Sequence, residues 1–436
     1  MRRVHRARRL VGAVRPPGDK SLAHRALIFA ALADRPVTVR GLPPGEDVAS
    51  TRRCLADLGV EFIDLGPGDV RVQPPTVWVR GRHLDCGNSG TTTRLLTGML
   101  AGLGVPAVLD GDASLRRRPM RRVSGPLEEI GARVSTDPDG RLPLRIGDPG
   151  QPLRGGRVVL AVASAQVKSA LLLAGLHAAG PVVVTEPSAS RDHTERMLAG
   201  LGAEIMRDGL TVTLLPQKAR LRARDLDLPG DISTAAFYLV AAAVVPDSVV
   251  TLEGVGVNPT RTGVLDVMRA MGARIEETNL RDMAGEPVAD LAIRTAQLRG
   301  SVMAGDLIPR LIDEVPVLAV LATQARGVTV VRDATELRFK ESDRITATVR
   351  ELRKLGADIR ERDDGLEVHG PTPLHGAAVA ADGDHRLAMA LAVAGLVADG
   401  VTAIAGSEVA AVSHPGFWDD LVRLGGDGLV EVEAPS

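Results

Sequence analysis

LAGLGAEI, residues 198–205, decides the fold. Leu198 and Leu201, three apart, share one side of a helix's final turn. Gly202 suits the left-handed backbone position that ends a helix, and Ala203–Ile205 open a strand. The phrase recurs as LADLGVEF from Leu55, LEEIGARV from Leu127, MRAMGARI from Met268 and LRKLGADI from Leu352, with a degraded copy, LVRLGGDG, from Leu421. Successive copies start 72, 71, 70, 84 and 69 residues apart. Six evenly spaced copies in 436 residues predict six similar repeats.

Each repeat carries a second, more apolar helical stretch upstream: Leu22–Ala33, Thr93–Leu103, Val167–Ala178, Thr234–Val244, Val315–Ala325 and Leu387–Ala398. Strand-like runs separate the helices, among them VTVRGL (37–42), VVVTEP (182–187), VVTLEG (249–254) and VTVVRD (328–333). One repeat thus reads strand, helix, strand, helix, strand, strand, and the fold class is α/β (α+β). Packing with these helices inside and sheets outside explains why one helix per repeat is nearly all apolar.

Composition narrows the function. Lysine plus arginine number 53 and aspartate plus glutamate 54, so bulk charge gives no case for a nucleic-acid partner. Aromatics at 2% also disfavour base stacking. Two cysteines, Cys54 and Cys86, make neither a disulfide framework nor a four-cysteine zinc site. The basic start MRRVHRARRL is followed by no apolar stretch of signal-peptide type. The uncharged run Ile232–Pro246 falls short of the ~20 residues that span a bilayer. These features predict a cytoplasmic protein with no membrane partner. Only five residues are lysine, and three of them, Lys20, Lys168 and Lys340, fall in polar motifs.

Those motifs obey the repeat. PGDKSLAHR (17–25), CGNSGTT (86–92), ASAQVK (163–168), PGDIST (229–234), LIDEVP (311–316) and DGDHR (382–386) each precede or open an apolar helix. EDVAS (46–50), LRRRPM (115–120), SRDHTE (190–195), NPTR (258–261), LRFKESDR (337–344) and SHPGF (413–417) stand near the second helix. Helix N-termini bind anions, and Lys20, Arg25, Arg118, Arg191, Lys340, Arg344 and Arg386 add cations at equivalent places. The pattern predicts a substrate, or a pair, bearing phosphates and carboxylates. Taken singly, each Ser or Asp is an ordinary N-cap, and the Arg116–Arg118 run an ordinary solvated face. Walker-type loops, metal-binding His/Cys clusters and nucleophile elbows are absent from the sequence.

PGDKSLAHRAL, LDCGNSGTTTRLL, RRRPM, SAQVKSALLLAGL, SRDHTE, GDIS, NPTR, LRFKESDRI and DGDHRLAMA together closely resemble the EPSP synthase (3-phosphoshikimate 1-carboxyvinyltransferase) family, in family order from about residue 10 to about 425. The resemblance implies the enolpyruvyl transferase fold: two similar globular domains, each of three βαβαββ-type repeats. Crossings near Pro17–Gly18 and Gly230–Asp231 make residues 1–17 plus 231–436 the phosphoenolpyruvate-side domain and 18–230 the shikimate 3-phosphate-side domain. The implied reaction moves the enolpyruvyl group of phosphoenolpyruvate to the 5-hydroxyl of shikimate 3-phosphate and releases phosphate. The family uses no metal or organic cofactor.

Roles follow by motif. Lys20, Ser21, Arg25, Ser164, Ala165, Gln166, Arg191, Asp313 and Lys340 are expected to hold shikimate 3-phosphate. Lys20, Asn88, Gly90, Thr91, Arg118, Gln166, Arg344 and Arg386 are expected around phosphoenolpyruvate. Asp313 matches the family's proton acceptor, and Glu341 and Lys20 are the candidates for protonating carbon 3. A monomer and inhibition by glyphosate, with Gly90 setting partial sensitivity, are also implied. Two features depart from some members: AAVSHPGF (410–417) lacks a lysine near the last motif, leaving Ser413 or His414 in its area, and Glu336 stands where some have asparagine. The rivals are UDP-N-acetylglucosamine enolpyruvyl transferase, which needs a reactive cysteine in a mobile loop, and a non-catalytic shikimate-phosphate-binding protein.

Overall fold

The computed structural model describes residues 1–148, 150–217 and 219–432. Among them are 14 α-helices and six four-stranded sheets. The chain forms two compact units, one of residues 1–17, 229–281 and 287 onward, the other of 18–228 and 282–286.

The recurring phrase does what its chemistry predicts. Helices Glu46–Asp57, Arg121–Glu129, His193–Gly200, Gly263–Ala270 and Arg344–Lys354 stop there. Gly59, Gly131, Gly202, Gly272 and Gly356 have φ between 86° and 106°, a region costly for any residue with a Cβ. One residue on, the N–H groups of Val60, Ala132, Ala203, Ala273 and Ala357 return to the carbonyls of Leu55, Leu127, Leu198, Met268 and Leu352. This six-to-one bond seals each C-terminus. In the degraded copy helix Phe417–Gly425 runs two residues further, and the positive φ, 97°, falls one residue later, at Gly426.

Three sheets come from continuous stretches of chain. Arg82–Asp85 pairs parallel with Ala107–Asp110, which pairs antiparallel with Leu144–Ile146, itself antiparallel to Val134–Ser135. The same order links Gly156–Val159, Val182–Thr185, Thr211–Leu214 and Ile205–Asp208. It recurs in Val302–Met303, Gly327–Val331, Gly365–Gly370 and Asp358–Arg362. A parallel pair needs a crossover, and the apolar helix supplies it. The other three sheets are completed from far along the chain. Leu226–Asp227 pairs with Val37–Arg40, Val11–Val14 with Val249–Gly256, and Arg2–His5 lies between Val401–Ala405 and Val430–Val432.

The apolar helices form the cores. Lys20–Ala31, Gly90–Leu103 and Ala165–Gly175 are buried along most of their length in the 18–228 unit. Ile232–Val244, Val315–Thr323 and His385–Gly395 do the same in the other. Five begin two or three residues before the apolar stretch, on the polar motif itself. That placement brings the motifs to the helix N-termini.

Candidate active site

Asp19, Ser89, Ser164, Asp231 and Asp384 are the N-caps of these helices. Each side chain accepts a first-turn N–H, from Leu22, Thr92, Val167, Ser233 and Arg386 respectively. The capping role of these residues is therefore real. The unusual residues come just after the caps, at the first two helical positions: Lys20 and Ser21, Gly90 and Thr91, Ala165 and Gln166, His385 and Arg386.

In the 18–228 unit, Lys20 Nζ donates to Asp47 Oδ2 at 2.9 Å. Buried Arg25 donates through Nη1 to the Ser21 carbonyl (2.7 Å), Nε to Thr194 Oγ1 (2.7 Å) and Nη2 to Ser169 Oγ (2.8 Å). Burial draws its pKa down to about 10 and the nearby Arg191 charge adds to this, while Glu195 and Asp19 oppose. Arg25 remains a cation at neutral pH. Burial also pushes the His24 pKa down to about 3, against the Asp47 charge, so this imidazole is neutral.

Arg118 Nη2 donates to Asn88 Oδ1 at 2.7 Å. Gln166 Nε2 donates to Thr91 Oγ1 at 2.8 Å, and Arg94 Nη1 donates to Gln166 Oε1 at 2.6 Å. A Cβ on Gly90 would stand 2.7 Å from Arg94 Nη1 and 3.3 Å from Arg118 Nη1. Arg116, by contrast, pairs with Asp110, so Arg116 and Arg118 of the arginine run face different partners.

In the other unit one carboxylate collects two cations. Lys340 Nζ and Arg344 Nη1 donate to Asp313 Oδ1 at 3.3 and 3.2 Å. Arg344 Nη2 reaches Glu341 Oε2 at 2.7 Å, and its Nε reaches Asp384 Oδ2 at 2.7 Å. Burial works against the Arg344 charge, but Asp384, Glu341 and Asp313 outweigh it and hold its pKa above the ordinary value. Burial likewise opposes the Asp384 carboxylate, and Arg344 keeps its pKa low. Arg386 Nη1 donates to the Asp313 carbonyl at 3.4 Å. Ser233 of GDIST donates to buried Glu314 and accepts from Arg261 Nη2 at 2.7 Å, tying NPTR to that helix start.

Asp47, Arg94 and Asp384 orient the expected residues and were not anticipated. EDVAS and DGDHR contain two of them, yet no local pattern says which cation each carboxylate meets. His414 is not placed like a flexible ammonium. It is buried, with Nε2 2.7 Å from Tyr238 Oη and 2.9 Å from Asp420 Oδ2. Lys168 is fully buried between Glu186 (2.7 Å) and Glu195 (2.8 Å). Both cysteines are buried. Among the described residues no group of three or more His, Cys, Asp and Glu is arranged to hold a metal. None of their helices is long and apolar enough to cross a membrane.

The class so defined is a six-repeat α/β protein with cations, hydroxyls and one twice-bonded carboxylate at helix N-termini. Known proteins narrow it. A family model described as EPSP synthase (3-phosphoshikimate 1-carboxyvinyltransferase) matches residues 4–421. A 3-phosphoshikimate 1-carboxyvinyltransferase of Anaeromyxobacter sp. (strain Fw109-5) is 53% identical over 424 residues, covering 97% of this chain and 96% of its own. One from Synechococcus sp. (strain RCC307) is 52% identical over 428 residues, covering 95% and 97%. The solved EPSP synthase of Acinetobacter baumannii superposes with a TM-score of 0.89 at 38% identity, over 100% of both chains. The chain belongs to the EPSP synthase family, whose chemistry is enolpyruvyl transfer in the shikimate pathway. The UDP-N-acetylglucosamine alternative is not favoured.

Proposed function

We propose that this chain transfers the enolpyruvyl group of phosphoenolpyruvate to the 5-hydroxyl of shikimate 3-phosphate, with Asp313 as the base. The observation that carries the assignment is Asp313 Oδ1, which Lys340 and Arg344 share as an acceptor. A sugar-like hydroxyl is a poor nucleophile and needs a carboxylate within hydrogen-bond reach. Two fixed cationic donors orient that carboxylate.

Lys20, Ser21, Arg25, Ser164, Ala165, Gln166 and Arg191, with Asp313 and Lys340, bind shikimate 3-phosphate in this reading. Asn88, Gly90, Thr91, Arg118, Arg344 and Arg386, with Lys20 and Gln166, bind phosphoenolpyruvate. Ser164 acts through the helix it caps. Carbon 2 of phosphoenolpyruvate becomes electrophilic once carbon 3 is protonated. The Glu341–Arg344 ion pair, which a protonated Glu341 would forgo, favours Lys20 over Glu341 as donor. The 5-oxygen bonds to carbon 2 as its proton passes to Asp313; the tetrahedral intermediate then loses phosphate from carbon 2, whose charge the cations stabilise, and a proton from carbon 3, which returns to the group that supplied it and restores the double bond. Residues 18–230 form the shikimate 3-phosphate-side domain and 1–17 plus 231–436 the phosphoenolpyruvate-side domain. The working form is a cytoplasmic monomer that glyphosate inhibits.

Phosphate release tests the reading. It is expected only when both substrates are present, and with a metal chelator added. Asp313→Asn is expected to lower turnover at least about a hundredfold while shikimate 3-phosphate still binds. Binding without phosphate release in the unmodified protein would make the chain a binding protein instead.

A further inference from the structure

The proton of each hydroxyl beside Arg25 has one destination. Ser169 Oγ lies 2.6 Å from the Ala165 carbonyl, which can only accept, so the serine proton goes there. Across the 2.7 Å contact between Ser169 and Thr194, Thr194 must therefore donate. Both oxygens remain as acceptors, Thr194 for Arg25 Nε and Ser169 for Arg25 Nη2. With the Nη1 bond to the Ser21 carbonyl, three of the five guanidinium N–H groups are fixed. One on Nη1 and one on Nη2 have no protein acceptor among the described residues.

The charge is preserved as well as the plane. Glu195 and Glu186 are engaged by Lys168 at 2.8 and 2.7 Å. The atoms that grip Arg25 directly are neutral: two hydroxyls and a carbonyl. A carboxylate in their place would satisfy the geometry but neutralise the cation.

We propose that Thr194 and Ser169 are positioning residues that lock the Arg25 guanidinium, so that its two remaining N–H groups meet one anionic group of shikimate 3-phosphate as a bidentate pair. The proposal rests on the assignment of Arg25 to that substrate. Planar forks bind two oxygens well only when the plane is held.

Thr194→Val keeps the side-chain shape and removes the oxygen, and Thr194→Ser restores it. Calorimetric titration with shikimate 3-phosphate is expected to show binding weakened about tenfold or more in Thr194→Val, because a hydrogen bond to a charged group is lost. The serine variant is expected to bind within about threefold of the unmodified protein. The kcat and the KM for phosphoenolpyruvate should stay nearly unchanged. With Arg25→Ala already present, Thr194→Val should cost no further affinity. Undiminished binding in Thr194→Val, or an equal loss with Arg25 absent, overturns the proposal. Should Thr194→Val fail to fold, Ser169→Ala is read by the same criteria. An unmodified protein that does not bind shikimate 3-phosphate would overturn the underlying assignment instead.

Discussion

Gly90 has no room for a methyl group unless Arg94 or Arg118 gives way, since a Cβ would stand 2.7 and 3.3 Å from their Nη1 atoms. Both contacts are ends of flexible side chains, so Gly90→Ala folds and the arginines shift. The expected result is a KM for phosphoenolpyruvate raised about three- to tenfold, with glyphosate inhibition weakened further. An unchanged inhibition constant would remove Gly90 from the explanation of sensitivity. His24, on the same helix as Lys20 and Arg25, makes a pH prediction. Folded, it stays neutral down to about pH 3, because burial penalises the charge. Unfolded, it takes a proton below its ordinary value of 6.5. The unfolded state therefore binds more protons in that window, and stability falls as pH drops through it, by up to about 1.4 kcal/mol per pH unit. Urea titrations at pH 7.5, 6 and 5 should show a shallower decline in His24→Asn than in the parent. Lys20, Asp313 and Arg386 stand out in the sequence because each is a charged residue at the start of an apolar helix, and Lys340 because it lies in the polar motif LRFKESDR before the second helix of its repeat. Asp47 and Asp384, the counterions of Lys20 and Arg344, do not stand out, because a counterion is chosen by proximity in space and carries no local pattern.

Helices Gly90–Leu103 and Ala165–Gly175 cross at small residues. A Cβ on Gly98 would stand 2.1 Å from the Ala170 carbonyl oxygen, and one on Gly102 2.7 Å from that of Ala174. Backbone cannot yield as an arginine does, so Gly98→Ala pushes the helices apart. Overpacking of this kind costs roughly 1–3 kcal/mol. The same displacement separates Thr91 from Gln166, now 2.8 Å apart, so the KM for phosphoenolpyruvate should rise too. Gly59→Ala is the contrast. It strains a left-handed position at φ 100°, costing about 1–2 kcal/mol, at the far end of its helix from Asp47. Melting temperature should fall in both variants and KM should move only in the first. Helix ends were readable because the left-handed glycine and its flanking apolar residues are local chemistry. The crossing was not, because Gly98 and Gly102 look like weak helix formers until the partner helix is known.

Sheet closure belongs to the whole chain. Spacing alone predicts six repeats, and it predicts nothing about which distant strand completes which sheet. Three sheets borrow a strand, and the shortest, Leu226–Asp227, has only two residues, too few for alternation to register. Two of the borrowed strands lie in the first 14 residues, whose arginine-rich composition hides them. Arg2–His5 occupies an interior position between Val401–Ala405 and Val430–Val432. Val11–Val14 pairs with Val249–Gly256. Val4, Leu10 and Val14 are almost wholly inaccessible. Removing residues 1–14 therefore breaks backbone pairing in two sheets and opens the core they cover, an exposure of unpaired edges that favours aggregation. Limited proteolysis of the truncated chain should cut first between residues 229 and 432, while 18–228 resists. The decisive comparison is with Val4→Asp, which leaves the strand in sequence and buries an unpaired charge. It should direct cleavage to the same segment; early cleavage within 18–228 in either variant would mean that the first 14 residues support the wrong unit.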